Sequence, residues 1–225
     1  MPVIEPTGAV PSWLGDILAA VRMRGEGWID PGRKAAVRSA LRFGSFRAAG
    51  RNKPSSEYLL AAALAGEFPL VNGPVDVNNG ISLLHGYPAS IFDLRRAGRS
   101  FLLRRGAPGE SYVFNRSGQT IDLEDMLCVC RPGAGGEGWT PCGNPVKDSM
   151  ETKVFGSAGS EGCTLDGPAD IAGVVYAPPA GADPGIPGSC LEAACEAFAA
   201  LLGSGCGAAE TGWTIVEGGR ARTQA

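Results

Sequence analysis

Val75-Asp76-Val77-Asn78-Asn79-Gly80-Ile81-Ser82-Leu83-Leu84-His85-Gly86-Tyr87-Pro88-Ala89-Ser90-Ile91-Phe92-Asp93-Leu94 is the stretch on which the fold turns. It reads as a short helix over about Val75 to His85, stopped by Gly86. Pro88 then enforces an extended turn, because proline restricts itself and the residue before it. Downstream the signals become strand-like. Ser100–Arg105, Ser111–Phe114, Gln119–Ile121 and Met126–Cys130 are short β-prone runs separated by Gly, Pro or Asp turns. Ile171–Tyr176 reads as the clearest buried strand. A last amphipathic helix is expected from about Cys190 to Leu202, with Leu191, Ala194, Cys195, Phe198 and Leu202 as its stripe. Trp213–Val216 reads as a closing strand.

Upstream the pattern is helical. Ser12 is placed to cap a helix through Trp13, Leu14, Ile17, Leu18 and Val21. A second helix is expected from Arg33 to about Phe46, with its Arg and Lys residues on the face away from Val37, Ala40 and Leu41. Pro54-Ser55-Ser56-Glu57 opens a third, with Ser55 or Ser56 as cap and Gly66 as stop. Helices, then strands, then a helix describe an α+β domain rather than a βαβ alternation. We expect a central mixed, mainly antiparallel sheet with the N-terminal helices packed on it. The boundaries are 1–32 for an N-terminal arm and helix, 33–202 for the core, and 203–225 for a C-terminal extension. Residues 1–10 read as irregular.

Composition narrows the class. The 225 residues are 44% hydrophobic, ordinary for a globular chain. The 34 Gly and 17 Pro imply many turns and short strands. No apolar run is long enough for a membrane helix. Met-Pro-Val-Ile-Glu-Pro is not a basic region followed by an apolar run, so no secretory signal is expected. Seven cysteines is an odd count in a chain of this size, which argues for reduced thiols in a cytoplasm. The net charge of −3 hides an asymmetry: residues 1–105 carry 14 Lys and Arg against 8 Asp and Glu, whereas residues 106–225 carry 6 against 15. Basic residues gather over Arg22–Lys53 and Arg95–Arg105, in patterns that suit either phosphate contacts or a solvated face.

Several residue types carry chemistry. The amides of Asn78 and Asn79 suit a substrate amine or an adenosine, or a helix cap. Asp76 fits a local backbone acceptor. His85 is the sole histidine, and nothing near it in sequence completes a Ser-His-Asp set, so a packed histidine is the favoured reading. Ser90 has no activating neighbour in sequence and suits a hydrogen-bonding role. Lys147-Asp148-Ser149-Met150-Glu151-Thr152-Lys153 is a polar loop between β-rich parts, where sites tend to sit. Cys128, Cys130 and Cys142 have no usual zinc spacing. Pro132-Gly133-Ala134-Gly135-Gly136 lacks the ending of a phosphate loop and reads as a hairpin or inserted loop.

The segment Pro69–Leu94, with Val-Asp-Val-Asn-Asn, Gly-Tyr-Pro and Phe-Asp-Leu, resembles the editing and tRNA-binding domain of the phenylalanyl-tRNA synthetase beta subunit. It resembles free-standing proteins built from that domain more closely still. The basic helix Arg33–Arg47, Pro54–Glu57, Arg104 with Gly109-Glu110, and Lys147–Lys153 extend the resemblance over about residues 33–202. The resemblance implies hydrolysis of a wrongly charged aminoacyl-tRNA. It places Asn78 and Asn79 on a pocket wall, and Ser90 where the synthetases often carry a histidine. No carboxylate stands in Ile171–Tyr176, where the synthetase reads a tyrosine hydroxyl, and Gly143–Asp148 replaces its Gly-rich loop. Tyrosine specificity is therefore not expected; a small or non-proteinogenic amino acid is.

The expectation is a trans-acting aminoacyl-tRNA deacylase that uses no cofactor or metal. Asn79, Asp148 and Thr152 would be catalytic, and Asn78, Ser90, Ser149, Lys147 and Lys153 would bind substrate. Arg38, Arg42, Arg51, Lys53, Arg104 and Arg105 would grip tRNA, with no DNA or membrane partner. The competing reading is a binding module for tRNA or an amino acid. A third is action on an aminoacyl ester or thioester in specialised metabolism.

Overall fold

The computed structural model describes residues 9–154 and 170–217 and the backbone of 220–224; most of the irregular N-terminal stretch, residues 1–8, lies outside the described residues. The chain folds as α+β, with N-terminal helices followed by short strands. Helix α1 (Ser12–Arg24) begins without a side-chain cap, Pro11 standing where a cap would be. Helix α2 (Pro31–Leu41) is capped by Asp30, whose carboxylate accepts from Gly32 N and Arg33 N at 2.8 and 3.1 Å. It ends at Leu41, short of the expected Phe46, because a distant residue captures the next turn. The Asp125 carboxylate accepts from Ser45 N at 2.6 Å and from Ser45 Oγ at 2.9 Å.

Helix α3 (Ser55–Ala65) stops at Gly66, which takes φ 75°. Neither Ser55 nor Ser56 caps it; Pro54 holds the cap position with no side-chain bond. Helix α4 (Gly73–His85) starts earlier than expected, because Asn72 caps it by accepting from Val75 N at 3.1 Å. Asp76 takes the local role, accepting from Val71 N at 2.8 Å. Gly86, at φ 74°, ends the helix.

Beyond the extended turn at Pro88 the chain forms a strand that its pattern does not announce, β1 (Ala89–Asp93), wholly buried. Helix α5 (Leu94–Ala97) is a single turn capped by Asp93. Strands β2 (Leu102–Arg105), β3 (Ser111–Val113), β4 (Thr120–Asp122), β5 (Leu127–Pro132), β6 (Trp139–Gly143) and β7 (Ile171–Val175) follow. Helix α6 (Leu191–Cys206) outlasts its expected end by one turn, and β8 (Trp213–Glu217) pairs with β9 (Arg220–Gln224). Every ladder is antiparallel. Among the described residues the strands are shared among four small sheets, β1-β7, β2-β5-β6, β3-β4 and β8-β9, instead of one central sheet. Strand β7 is half-buried and pairs with β1, setting Ser90 against Val174. The Gly-rich run joins β5 to the unanticipated β6.

Two apolar clusters meet on α4. Val77 and Ile81 pack into the main core with Ile91, Met126, Cys128, Cys130 and Phe198. Leu83 packs with Leu14, Leu18, Leu59 and Leu60 of the first and third helices. Gly80 makes the second approach close: a Cβ there would lie 2.5 Å from the Trp13 ring. Helix α4 is thus held by apolar contacts on two sides. Among the described residues no helix is long and apolar enough to cross a membrane.

Candidate functional site

A cavity of about 250 Å³ opens between the starts of α3 and α4, strand β1 and the loop after β6. Its polar lining is Ser55, Asn78, Asn79, Asn144, Lys147, Asp148 and Lys153, and short apolar side chains such as Val71, Val75, Ile91 and Val154 close the rest. The Asn-bearing helix and the Lys147–Lys153 loop, about 70 residues apart in sequence, therefore face one space. The loop is shaped by Asn144, whose Oδ1 accepts from Val146 N and Lys147 N at 2.8 and 2.9 Å. Tyr112 fixes its far side by donating to Lys147 O at 2.6 Å.

Asp148 is the electrostatic centre. Its carboxyl is walled in by protein and meets the outside through the cavity. Burial pushes its pKa from 3.8 up to about 7; the Ser90 hydroxyl and the Lys153 charge oppose that rise without cancelling it. Ser90 Oγ donates to Asp148 Oδ1 at 2.6 Å, and Ile91 N donates weakly to Oδ2 at 3.4 Å. The Tyr176 hydroxyl stands 2.9 Å from Ser90 Oγ. With Ser90 donating to Asp148, Tyr176 donates to Ser90, so a buried relay orients the carboxyl. Gly143 makes room for it: a Cβ there would lie 2.5 Å from the Phe92 ring and 2.7 Å from Asp148 Oδ1.

The two lysines bring positive charge to the same space. Lys153 Nζ donates to Phe114 O at 2.5 Å, and Lys147 Nζ lies 3.9 Å from the Phe114 ring centre. Burial holds both ammonium groups below their ordinary pKa, and Arg51 adds to the effect at Lys147. Arg51 is therefore a neighbour of the cavity on the Lys147 side.

Two polar atoms in the lining lack partners among the described residues. Asn78 Oδ1 and Ser55 Oγ are buried with no hydrogen bond. Asn78 Nδ2 reaches Asn79 Oδ1 and Ala89 O at 3.4 and 3.5 Å. Ser55 was expected to cap α3; freed from that role, its hydroxyl belongs to the cavity. The signal for it lay in Pro54, which precedes it and fixes the helix start.

Other expected site residues sit elsewhere. Thr152 is fully buried and donates to Cys142 O at 3.2 Å, outside the lining. Ser149 Oγ accepts from Glu151 N at 3.2 Å, so it shapes the turn. Ser90 acts through Asp148. Three of the expected tRNA-gripping arginines are committed within the fold. Arg38 grips Glu57 at 2.6 and 2.5 Å, and Arg104 grips Glu110 at 2.7 and 2.6 Å. Arg105 donates to Leu41 O at 2.9 Å, closing the end of α2, and stacks on Phe43. Arg95 and Arg96 share Asp93 and Arg99 meets Asp170, so the charge of this cluster is partly offset in space. Arg42 and Arg51 are exposed, and Lys53 lies over the Tyr58 ring.

A second polar cluster lies at the far end of α4. Arg33, expected on a solvent face, is 1% exposed. Its guanidinium donates to Asp183 at 2.9 and 3.1 Å, to His85 O at 3.0 Å and to Ser189 Oγ at 2.6 Å, and it stacks on Tyr87. The Tyr87 hydroxyl also donates to Asp183. His85 Nδ1 stands 3.2 Å from Ser189 Oγ, while Nε2 has no partner, so no carboxylate orients the ring. Burial, then the Arg33 charge, lowers the His85 pKa from 6.5 to about 4. The histidine is neutral and packed, and this cluster ties the 183–189 loop to α2 and α4. Cys128 and Cys142 are poor nucleophiles: both are buried, and burial raises both thiols to about 12. No protein-family model and no curated protein matches the chain.

Proposed function

We propose that the cavity is the acyl pocket of an aminoacyl-ester hydrolase acting on the 3′ end of a charged tRNA. The observation that carries this reading is the convergence of Asn78, Asn79, Lys147, Asp148 and Lys153 on one cavity. Asp148 stands at its centre with a pKa near working pH. A general base is most effective when its pKa lies close to that of the medium. Asp148 takes a proton from water as the water oxygen bonds to the ester carbonyl carbon. The negative charge that develops on the carbonyl oxygen sits in the positive potential of Lys147 and Lys153. Collapse breaks the bond to the ribose oxygen, which takes the proton back from Asp148. Amino acid and uncharged tRNA are the products. Asn79, on the cavity wall, positions the ester. Such an ester is already prone to hydrolysis, so placement supplies much of the barrier reduction.

Arg51 and Lys53 precede α3, whose first residue lines the cavity, and Arg51 neighbours Lys147. They suit the terminal phosphates of the acceptor strand. Arg42, exposed at the end of α2, is a further basic group. With Arg38, Arg104 and Arg105 committed internally, the footprint is small and affinity for tRNA is modest. Deacylation of a panel of aminoacyl-tRNAs by the purified chain, beside Asn79→Ala, tests the proposal. Release of one amino acid, slowed in the variant, supports it. No release across a panel that includes non-proteinogenic amino acids, with tRNA bound at low salt, leaves only a binding module.

A further inference from the structure

The two unpartnered atoms in the cavity say what part of a substrate enters it. Asn78 is 5% exposed, yet its Oδ1 has no donor. Reversing the amide would point Oδ1 at the Ala89 carbonyl, which now accepts from Nδ2, so the acceptor belongs where it stands. Ser55 Oγ, from a different helix, is also buried, unpartnered and on the same lining. Buried polar atoms are nearly always paired, and an unpaired one marks a site where a partner is missing. Two in one small space, one of them purely an acceptor, call for a ligand donor with several N–H bonds. A primary ammonium meets that need, with three donors in a compact head.

The remaining space sets the size. The cavity is about 250 Å³, below the ~300–1,000 Å³ of sites that take drug-sized ligands. Its apolar wall is made of short branched side chains, with no aromatic residue in the lining. Lys147 and Lys153 line the same cavity, and their charge favours the ester oxygen.

We infer that the cavity receives a small α-amino acid with a free ammonium group, Asn78 Oδ1 accepting from that ammonium beside Ser55 Oγ. The inference rests on the ester-hydrolase reading of the same site, and it names the acyl group. Acetylating the amine leaves one N–H donor of the three, removes the charge and adds bulk. An aromatic side chain finds no ring in the described lining to stack against.

The test is binding, so that it fails separately from catalysis. Non-hydrolysable 3′-aminoacylamino-3′-deoxyadenosines carrying alanyl, N-acetylalanyl or tyrosyl groups are titrated into the full chain by calorimetry. The alanyl compound is expected to bind at least about 10-fold more tightly than either of the others. Asn78→Leu, which keeps size and removes the acceptor, is expected to weaken the alanyl compound about 10- to 100-fold, the range for a hydrogen bond to a charged group. Asn78→Asp, which keeps an acceptor, is expected to restore binding. Circular dichroism of both variants confirms folding. Equal binding of the N-acetyl compound, stronger binding of the tyrosyl compound, wild-type affinity in Asn78→Leu, or no binding by any analogue would overturn the inference. If the analogues behave as expected but aminoacyl-tRNA is not hydrolysed, catalysis fails and this recognition stands. If tRNA carrying N-acetylated alanine is hydrolysed as fast as free alanyl-tRNA, the ammonium claim fails and the hydrolase stands.

Discussion

Helix α4 carries a buried polar cluster at each end, and the two are built differently. Around Arg33 the guanidinium spends its donors on Asp183, Ser189 and the His85 carbonyl, and its face on Tyr87. Around Asp148 one carboxyl is oriented by Ser90, burial lifts its pKa to about 7, and two polar atoms on the same cavity are unpaired. Among the described residues the Arg33 cluster leaves one, His85 Nε2, and no charge unmatched. A charge matched by its neighbours holds loops to helices. Groups left under-matched in a cavity are groups that a ligand completes. The contrast separates a structural cluster from a candidate site on one helix.

The contrast breaks most sharply under two substitutions. Asp148→Asn is expected to slow hydrolysis by about 100- to 10,000-fold, the usual contribution of a general base, while leaving the fold intact. Arg33→Leu is expected to destabilise the fold by about 3–5 kcal/mol in chemical denaturation, because Asp183 is left without its partner. Its hydrolysis rate, measured where the variant remains folded, should change little. If the two variants exchange phenotypes, the assignment of roles is wrong.

Acidity sharpens the comparison, because the two clusters titrate with opposite signs. Folded Asp148 keeps its proton up to about 7, whereas the unfolded chain releases it near 3.8. Between those values the folded state binds more protons, so this group's contribution to stability falls as pH rises through the window. Folded His85 stays neutral down to about 4, whereas the unfolded chain protonates it near 6.5. Its contribution is fully present above 6.5 and is lost as pH falls towards 4. Each contribution is on the order of 2–4 kcal/mol. Denaturation from pH 4 to 8 should show Asp148→Asn gaining stability over wild type as pH rises. A constant gap across that range would contradict the raised carboxyl.

Smaller effects probe the cavity walls. Gly143→Ala pushes a methyl into Phe92 and the Asp148 carboxylate and is expected to cost about 1–3 kcal/mol of stability together with hydrolysis. Arg51→Ala and Arg42→Ala should each lower tRNA affinity by less than about 10-fold and reduce its salt dependence by one charge. Arg38→Ala should affect stability more than tRNA affinity, since Glu57 is its partner.

Much of the fold was legible, and the reasons for the gaps are physical. Gly66 and Gly86 stop helices as their positions promised, and Gly86 fixes the end of the Asn-bearing helix. The second helix fell short because Asp125, some 80 residues away, captures Ser45. Strand β1 was hidden because it is buried on both faces and carries no alternation. The site was partly legible. Asn78, Asn79, Lys147, Asp148 and Lys153 share a cavity, but the raised Asp148 carboxyl follows from its enclosure, which outweighs the Ser90 hydroxyl and the Lys153 charge, and spacing reveals none of this. Thr152 and Ser149 looked equal to Asp148 in the loop, and backbone hydrogen bonds decide which of the three faces the cavity. Arg33 looked like a surface charge because its partners, Asp183 and Ser189, lie about 150 residues away.

The most direct measurement is the pH dependence of single-turnover amino-acid release from charged tRNA, by wild type and by Asp148→Asn. A rate that climbs through about pH 7 and then levels in wild type, with the climb absent from a much slower variant, is the predicted result. Release with the same rate and profile in both proteins, or no release by wild type at any pH, would contradict the account.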